Sequence, residues 1–147
     1  MNKKHGITSF YLETLLLIAV FIGVIMLLTQ VFGAAKMASD QAEILTKAVG
    51  LAQNGAEAVA ASKGDPELLV ELLEENGNMS ELKGAQDKGY YFSFNDALEG
   101  DPSGLYSMYI GYLWDGDMLN SIIRICYDGA EEPVYSIKTA LYIGEVF

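Results

Sequence analysis

Cysteine, histidine, proline and positive charge are all scarce in this 147-residue chain, and each scarcity closes off a class of function. Cys126 is the only cysteine, so no disulfide can form within the chain, and in its strand-like run it is expected to be a small core hydrophobe. His5 is the only histidine and sits at the N-terminus, which leaves any serine or cysteine further on without an imidazole to activate it. No glycine-rich phosphate loop is present. Carboxylate pairs such as Asp115 with Asp117 or Glu131 with Glu132 stand in turn-like contexts where acids are common, and they make a weak case for glycosidase chemistry. The expectation is a protein that is not an enzyme and needs no cofactor. With 9 Lys and Arg against 20 Asp and Glu, the formal net charge is −11, and a domain of that sign is expected not to bind nucleic acid, because phosphate contacts need a basic surface.

Charge is also missing from one long stretch. From Thr14 to Gly33 there is no ionisable side chain, and twenty helical residues span about 30 Å, the thickness of a bilayer's hydrocarbon layer. Lys3 and Lys4 precede the stretch without an acid, whereas from Ala34 onward 19 carboxylates face 7 cationic side chains. The positive-inside bias therefore puts the N-terminus in the cytoplasm and the acidic remainder outside the membrane. Glu13 is the one carboxylate at the edge of the span. A lone carboxylate there is costly, so it is a candidate functional residue, although at the start of a helix it can also favour the dipole and reach the headgroups.

No proline or turn cluster interrupts the chain after the span, and the helical pattern continues. Ala38, Ala42, Leu45, Val49, Ala52, Ala56 and Val59 recur at alternating spacings of four and three, with Met37, Ile44, Leu51 and Ala58 widening the stripe. Asp40, Glu43, Thr46, Lys47, Gln53, Asn54 and Glu57 form the wet side. So much alanine suits packing on the chain's own sheet and makes a poor dimer zipper. Gly33, Gly50 and Gly55 weaken the helix and mark bends or close contacts. The helix should stop near Ala61, where Asp65 is placed to cap a second helix and Pro66 to open it. Leu68, Leu69, Leu72 and Leu73 give that helix its buried side, and Asn76-Gly77 ends it.

From Tyr90 the periodicity changes to that of strands. Tyr90 to Asn95, Leu105 to Trp114, Met118 to Asp128 and Val134 to Gly144 are rich in aromatic and β-branched residues. Asp115-Gly116 reads as a hairpin turn, and Asp128-Gly129 with Glu131-Glu132-Pro133 as a longer connection. Tyr106, Tyr109, Tyr112, Tyr127, Tyr135 and Tyr142, with Trp114, could form an aromatic outer surface. Those sharing a face with Ile or Leu would instead pack inside. The acidic loop from Asn95 to Asp101 offers oxygen ligands for Ca²⁺ but lacks the spacing of an EF-hand.

These elements predict an α+β chain: residues 1–6 a basic leader, 7–33 the membrane half of a long helix, 34–61 its amphipathic half, 62–89 a loop and short helix, and 90–147 an antiparallel sheet of three to four strands. Lys3-Lys4-His5-Gly6-Ile7-Thr8, then a glutamate and about twenty apolar residues leading into an amphipathic helix and a sheet, resembles the type IV pilins and the pseudopilins of type II secretion and competence systems. Only the first 33 residues match a motif, while the rest matches in architecture. The resemblance implies a filament subunit whose partners are the membrane, a prepilin peptidase and other pilin-like subunits. Gly6 would precede the cut, Ile7 would become the new and often methylated N-terminus, and Glu13 would be the family's assembly carboxylate. The family usually places that glutamate five residues after the glycine, and here the separation is seven. A cut after Thr8 restores the spacing from Ser9 but loses the glycine, and an uncut chain is the third option. Two other readings stay open: a non-polymerising single-pass membrane protein with an extracytoplasmic recognition domain, and a secretory signal cut near Gly33-Ala34-Ala35.

Overall fold

The computed structural model describes residues 4–74, 78–80, 89–130 and 132–144. Helix α1 runs from Lys4 to Ser62, and helix α2 from Pro66 to Glu74. Five strands follow: β1 (Asn78–Ser80), β2 (Gly89–Phe94), β3 (Tyr106–Asp115), β4 (Met118–Tyr127) and β5 (Tyr135–Tyr142). They pair antiparallel in chain order as a single meander. The α+β class and the four long strands match the expectation. The three-residue β1, paired with Ser93 to Tyr91 of β2, adds a fifth strand inside the stretch read as loop and short helix. The residues read as a leader include the first turn of α1, because the helix already begins at Lys4.

Contacts divide the chain into two units, residues 1–42 and residues 43–147. In the first unit every large apolar side chain from Phe10 to Phe32 is exposed. The second unit has the core.

The buried face of α1 begins at Ala48 and continues through Leu51, Ala52, Gly55, Ala58, Val59 and Ser62. Leu51, Ala52, Ala58 and Val59 belong to the expected stripe, but Ala48, Gly55 and Ser62, seven residues apart, do not. Met37, Ala38, Ala42 and Leu45, read as stripe residues packed on the sheet, are exposed instead. Small residues run along the middle of the contact because the sheet lies close: a Cβ built on Gly55 would stand 2.9 Å from Met108 Sδ and 3.4 Å from Ile123 Cγ2. Phe92, Met108, Ile110, Leu119, Ile123 and Ile125 fill the sheet side of that core and are almost fully buried. Each such side chain contributes about 1.5–3 kcal/mol through burial.

Local signals stop and restart the chain as anticipated. Lys63 and Gly64 take φ values of 50° and 82°, ending α1, and the Asp65 amide donates to the Ser62 carbonyl at 2.9 Å. Asp65 Oδ1 then accepts from the amides of Glu67 and Leu68 at 2.9 and 3.4 Å, capping α2. Leu69 and Leu73 are buried, Leu72 is half-buried and Leu68 is 38% exposed, so the expected apolar side is narrower than four leucines. Asn76-Gly77, expected to end α2, lies outside the described residues. The connection from β4 to β5, expected to be a longer one, runs from Tyr127 to Tyr135 and opens with a tight turn at Asp128 and Gly129, at φ 48° and 68°, closed by the Ala130 amide on the Tyr127 carbonyl.

The acidic loop after β2 works as a clamp. Lys47 Nζ on α1 lies 2.7 Å from Asp96 Oδ1 and 2.9 Å from Glu43 Oε1, and Asp96 first and Glu43 second raise its pKa above the ordinary lysine value. Asn95 Oδ1 accepts from the amides of Ala97 and Glu99. The amide and then the hydroxyl of Ser103 hold the Asp101 carboxyl below its usual pKa. The oxygens considered for Ca²⁺ are thus engaged in fixing the loop, and no metal-binding group of three such side chains occurs among the described residues.

Two outcomes test this packing by urea denaturation of the detergent-solubilised full chain. Gly55→Leu should cost about 1–3 kcal/mol, since the added atoms must displace Met108 and Ile123. Tyr106→Phe should leave stability equal or raise it by about 1–3 kcal/mol, because the Tyr106 side chain is fully buried and its hydroxyl has no hydrogen-bond partner among the described residues. Burial also raises the Tyr106 pKa, so wild-type stability is unaffected by this group below the ordinary tyrosine value and falls as pH climbs from there through the raised one. The variant should therefore lose less stability than wild type in strong alkali.

Candidate functional site

Two exposed surfaces are candidates for a functional site. The first is the N-terminal part of α1. Its length and composition suffice to cross a membrane. The hydroxyls of Thr14 and Thr29 donate to the carbonyls of Phe10 and Ile25, each at 2.9 Å, so neither needs water to be satisfied. Glu13 is exposed on this helix, and among the described residues no cation lies within ion-pair distance of it. Lys4, Gly6 and Ile7 belong to the first turn of α1, and Lys3 lies outside the described residues. Gly6 and Glu13 thus share one helix seven residues apart, a rise of about 10 Å.

The second surface is the sheet face turned away from α1. In β3 the even residues Tyr106, Met108 and Ile110 point to the core, and the odd residues Ser107, Tyr109, Gly111 and Leu113 point outward. Register then places Tyr91, Tyr109 and Arg124 side by side on β2, β3 and β4. The rings of Tyr91 and Tyr109 are 4.8 Å apart, and the Arg124 guanidinium lies 5.9 Å from the centre of the Tyr109 ring. Glycine makes room for that ring. A Cβ on Gly111 would stand 2.7 Å from the Tyr109 hydroxyl, and one on the paired Gly89 would overlap the ring itself. Beside this stack is an open groove of ≈ 780 Å³ bordered by Gly111, Ile122, Arg124, Lys138 and Ala140.

Of the aromatic residues expected to form an outer surface, only Tyr109 and Tyr142 do so, joined by Tyr91. Tyr106 is fully buried, and Tyr112, Tyr127 and Tyr135 pack against the core from the helix side. Tyr112 stacks on Tyr90 with their hydroxyls 3.3 Å apart, and burial followed by that contact raises its pKa. Trp114 covers the turn at Gly64. The deciding fact is strand parity, since these inward residues alternate in step with Met108, Ile110, Ile123 and Ile125. Parity also corrects Cys126, which is half-buried on the outer face opposite Ser107 and is not a core residue. Arg124 and Lys138 were not singled out by sequence reasoning. Their signal was available: they are the only cationic side chains in the four long strands of an acidic chain.

No family model, curated protein or solved structure matches this chain.

Gly111→Val tests the glycine platform. It should expel the Tyr109 ring from its place over β2 and β3, lowering the near-ultraviolet tyrosine circular dichroism of the full chain while the far-ultraviolet helix signal holds.

Proposed function

We propose that this chain is a structural subunit of a pilin-like filament, of the minor pilin or pseudopilin kind, held in the membrane through the N-terminal part of α1 and assembling through it. The observation that carries this reading is Glu13, a carboxylate with no cation within ion-pair distance among the described residues, on a helix that is otherwise uncharged to Gly33. In hydrocarbon an unpaired carboxylate costs several kcal/mol, and so does an unpaired amine. When helices bundle with an axial stagger, the carboxylate of one subunit meets the new N-terminal amine of another, and each offsets part of the other's cost. Cleavage after Gly6 would supply that amine at Ile7. Lys3 and Lys4 keep the N-terminus on the cytoplasmic side, and the acidic sheet unit stands outside the membrane.

Glu13→Leu separates assembly from anchoring. Insertion should be unchanged or improved, while co-isolation with other pilin-like subunits from membranes should fall about tenfold, the equivalent of 1.4 kcal/mol of lost pairing. Wild-type co-isolation at equal abundance would instead favour the single-pass recognition protein. The intact mass of the membrane-extracted chain reports processing in the same preparation. It should be lower by residues 1–6 in wild type and undiminished in Gly6→Leu. A mass that lacks residues 1–8, or 1–34, or nothing at all in wild type overturns the assigned cut.

A further inference from the structure

The outer sheet face differs in sign from the rest of the chain. Arg124 and Lys138 project from it on neighbouring strands, in a register that pairs Ile122 with Lys138 and Arg124 with Ser136, which makes them diagonal neighbours about 7–8 Å apart. Among the described residues no carboxylate lies within ion-pair distance of either. Among the described strand residues, the one acid on this face, Asp115, stands at the end of β3. Around the two cations lie Tyr91, Tyr109, Leu113 and Ile122, and the groove beside them is open. Tyrosine and arginine beside apolar residues make the composition of a protein interface rather than of a solvated sheet.

The complementary surface is on the same chain. Helix α2 buries Leu69 and Leu73, which fixes its rotation and turns Glu67, Glu71 and Glu74 to solvent. Those three carboxylates fall on one side of the helix, with rises of about 6 and 4.5 Å between them. No cation among the described residues pairs with them.

We infer that the outer sheet face of one copy docks the α2 carboxylate row of a second copy, with Arg124 and Lys138 set against Glu67, Glu71 and Glu74 and the Tyr91–Tyr109 stack flanking the contact. The two surfaces are different, so a single contact leaves a cationic face free on one copy and an acidic helix free on the other. Repeated from copy to copy, the same contact builds a chain of subunits, open or closed according to the rotation between copies. The charges set orientation and register, and the aromatic and apolar groups around them supply the buried area. This inference rests on the filament reading for its biological setting, but its contacts involve no residue of the N-terminal unit.

Disulfide trapping in membranes tests it. With Cys126→Ser as background, full chains carrying Lys138→Cys and full chains carrying Glu71→Cys are made together and mildly oxidised. A covalent dimer should form in the mixture and not with either chain alone. Arg124→Glu on the Lys138→Cys copy should lower its yield about tenfold, and Glu67→Arg with Glu74→Arg on the other copy should restore it. No dimer in the mixture, dimers of either chain alone at the same yield, or a yield indifferent to the charge reversals would each overturn the inference. Adding Glu13→Leu separates the two claims. A charge-sensitive dimer that survives with Glu13→Leu shows the docking contact acting without the proposed helix pairing. Loss of co-isolation on Glu13→Leu, together with no dimer in the otherwise unaltered pair, leaves the subunit reading standing and removes the docking face.

Discussion

The close approach of α1 to the sheet at Gly55 is the contact on which the second unit depends. With no side chain there, Met108, Ile110 and Ile123 reach the helix backbone, and Ala48, Ala52 and Val59 continue the seam above and below. A larger residue at the centre would lift the helix off the strands and open the core to water. The clamp from Lys47 to Asp96 sits at the edge of the same seam and ties the helix to the loop after β2. Because Asp96 is exposed and Lys47 only half-buried, their pairing adds less than the apolar contact does, and its role is to fix the loop in place. Burial holds this unit together, and polar contacts decide where its loops go.

Opposite constraints act on the two parts of α1. From Phe10 to Phe32 the helix shows apolar side chains in all directions, as suits a medium that is itself apolar, while from Ala48 to Ser62 only one side is buried. Between them Met37, Ala38, Ala42 and Leu45 carry the amphipathic pattern with their side chains exposed. Their periodicity is that of a contact face.

The sheet divides its labour by parity. Inward residues give the core, and they include the aromatic pairs Tyr90 with Tyr112 and Tyr106 with Tyr127. Outward residues would normally be polar and mixed in charge, yet here they gather an aromatic stack, two cations and a groove on one face of a chain with net charge −11. The glycines at positions 89 and 111 belong to this arrangement, because only without side chains can two neighbouring strands carry a tyrosine ring laid across them.

Local signals in the sequence determined the elements of this protein. The uncharged run to Gly33, the stop at Ser62, the Asp65 cap on α2, the four long strands and the turn at Asp128-Gly129 each follow from residues within a few positions of one another, since capping, φ preference and hydrophobic period are short-range properties. The lone position of Glu13 was legible for the same reason. What only the tertiary structure decided is which side of each element faces which neighbour. Ala48, Gly55 and Ser62 are unremarkable by hydropathy and became the buried seam, with the sheet close enough at Gly55 to leave no room for a side chain. Cys126 and the tyrosines were sorted by strand register. Lys47 met Asp96 across 49 positions of sequence, and Arg124 came beside Lys138 through the pairing of β4 with β5. Such pairings depend on register and on the fit of one surface to another, and hydrophobic periodicity along a single element carries neither.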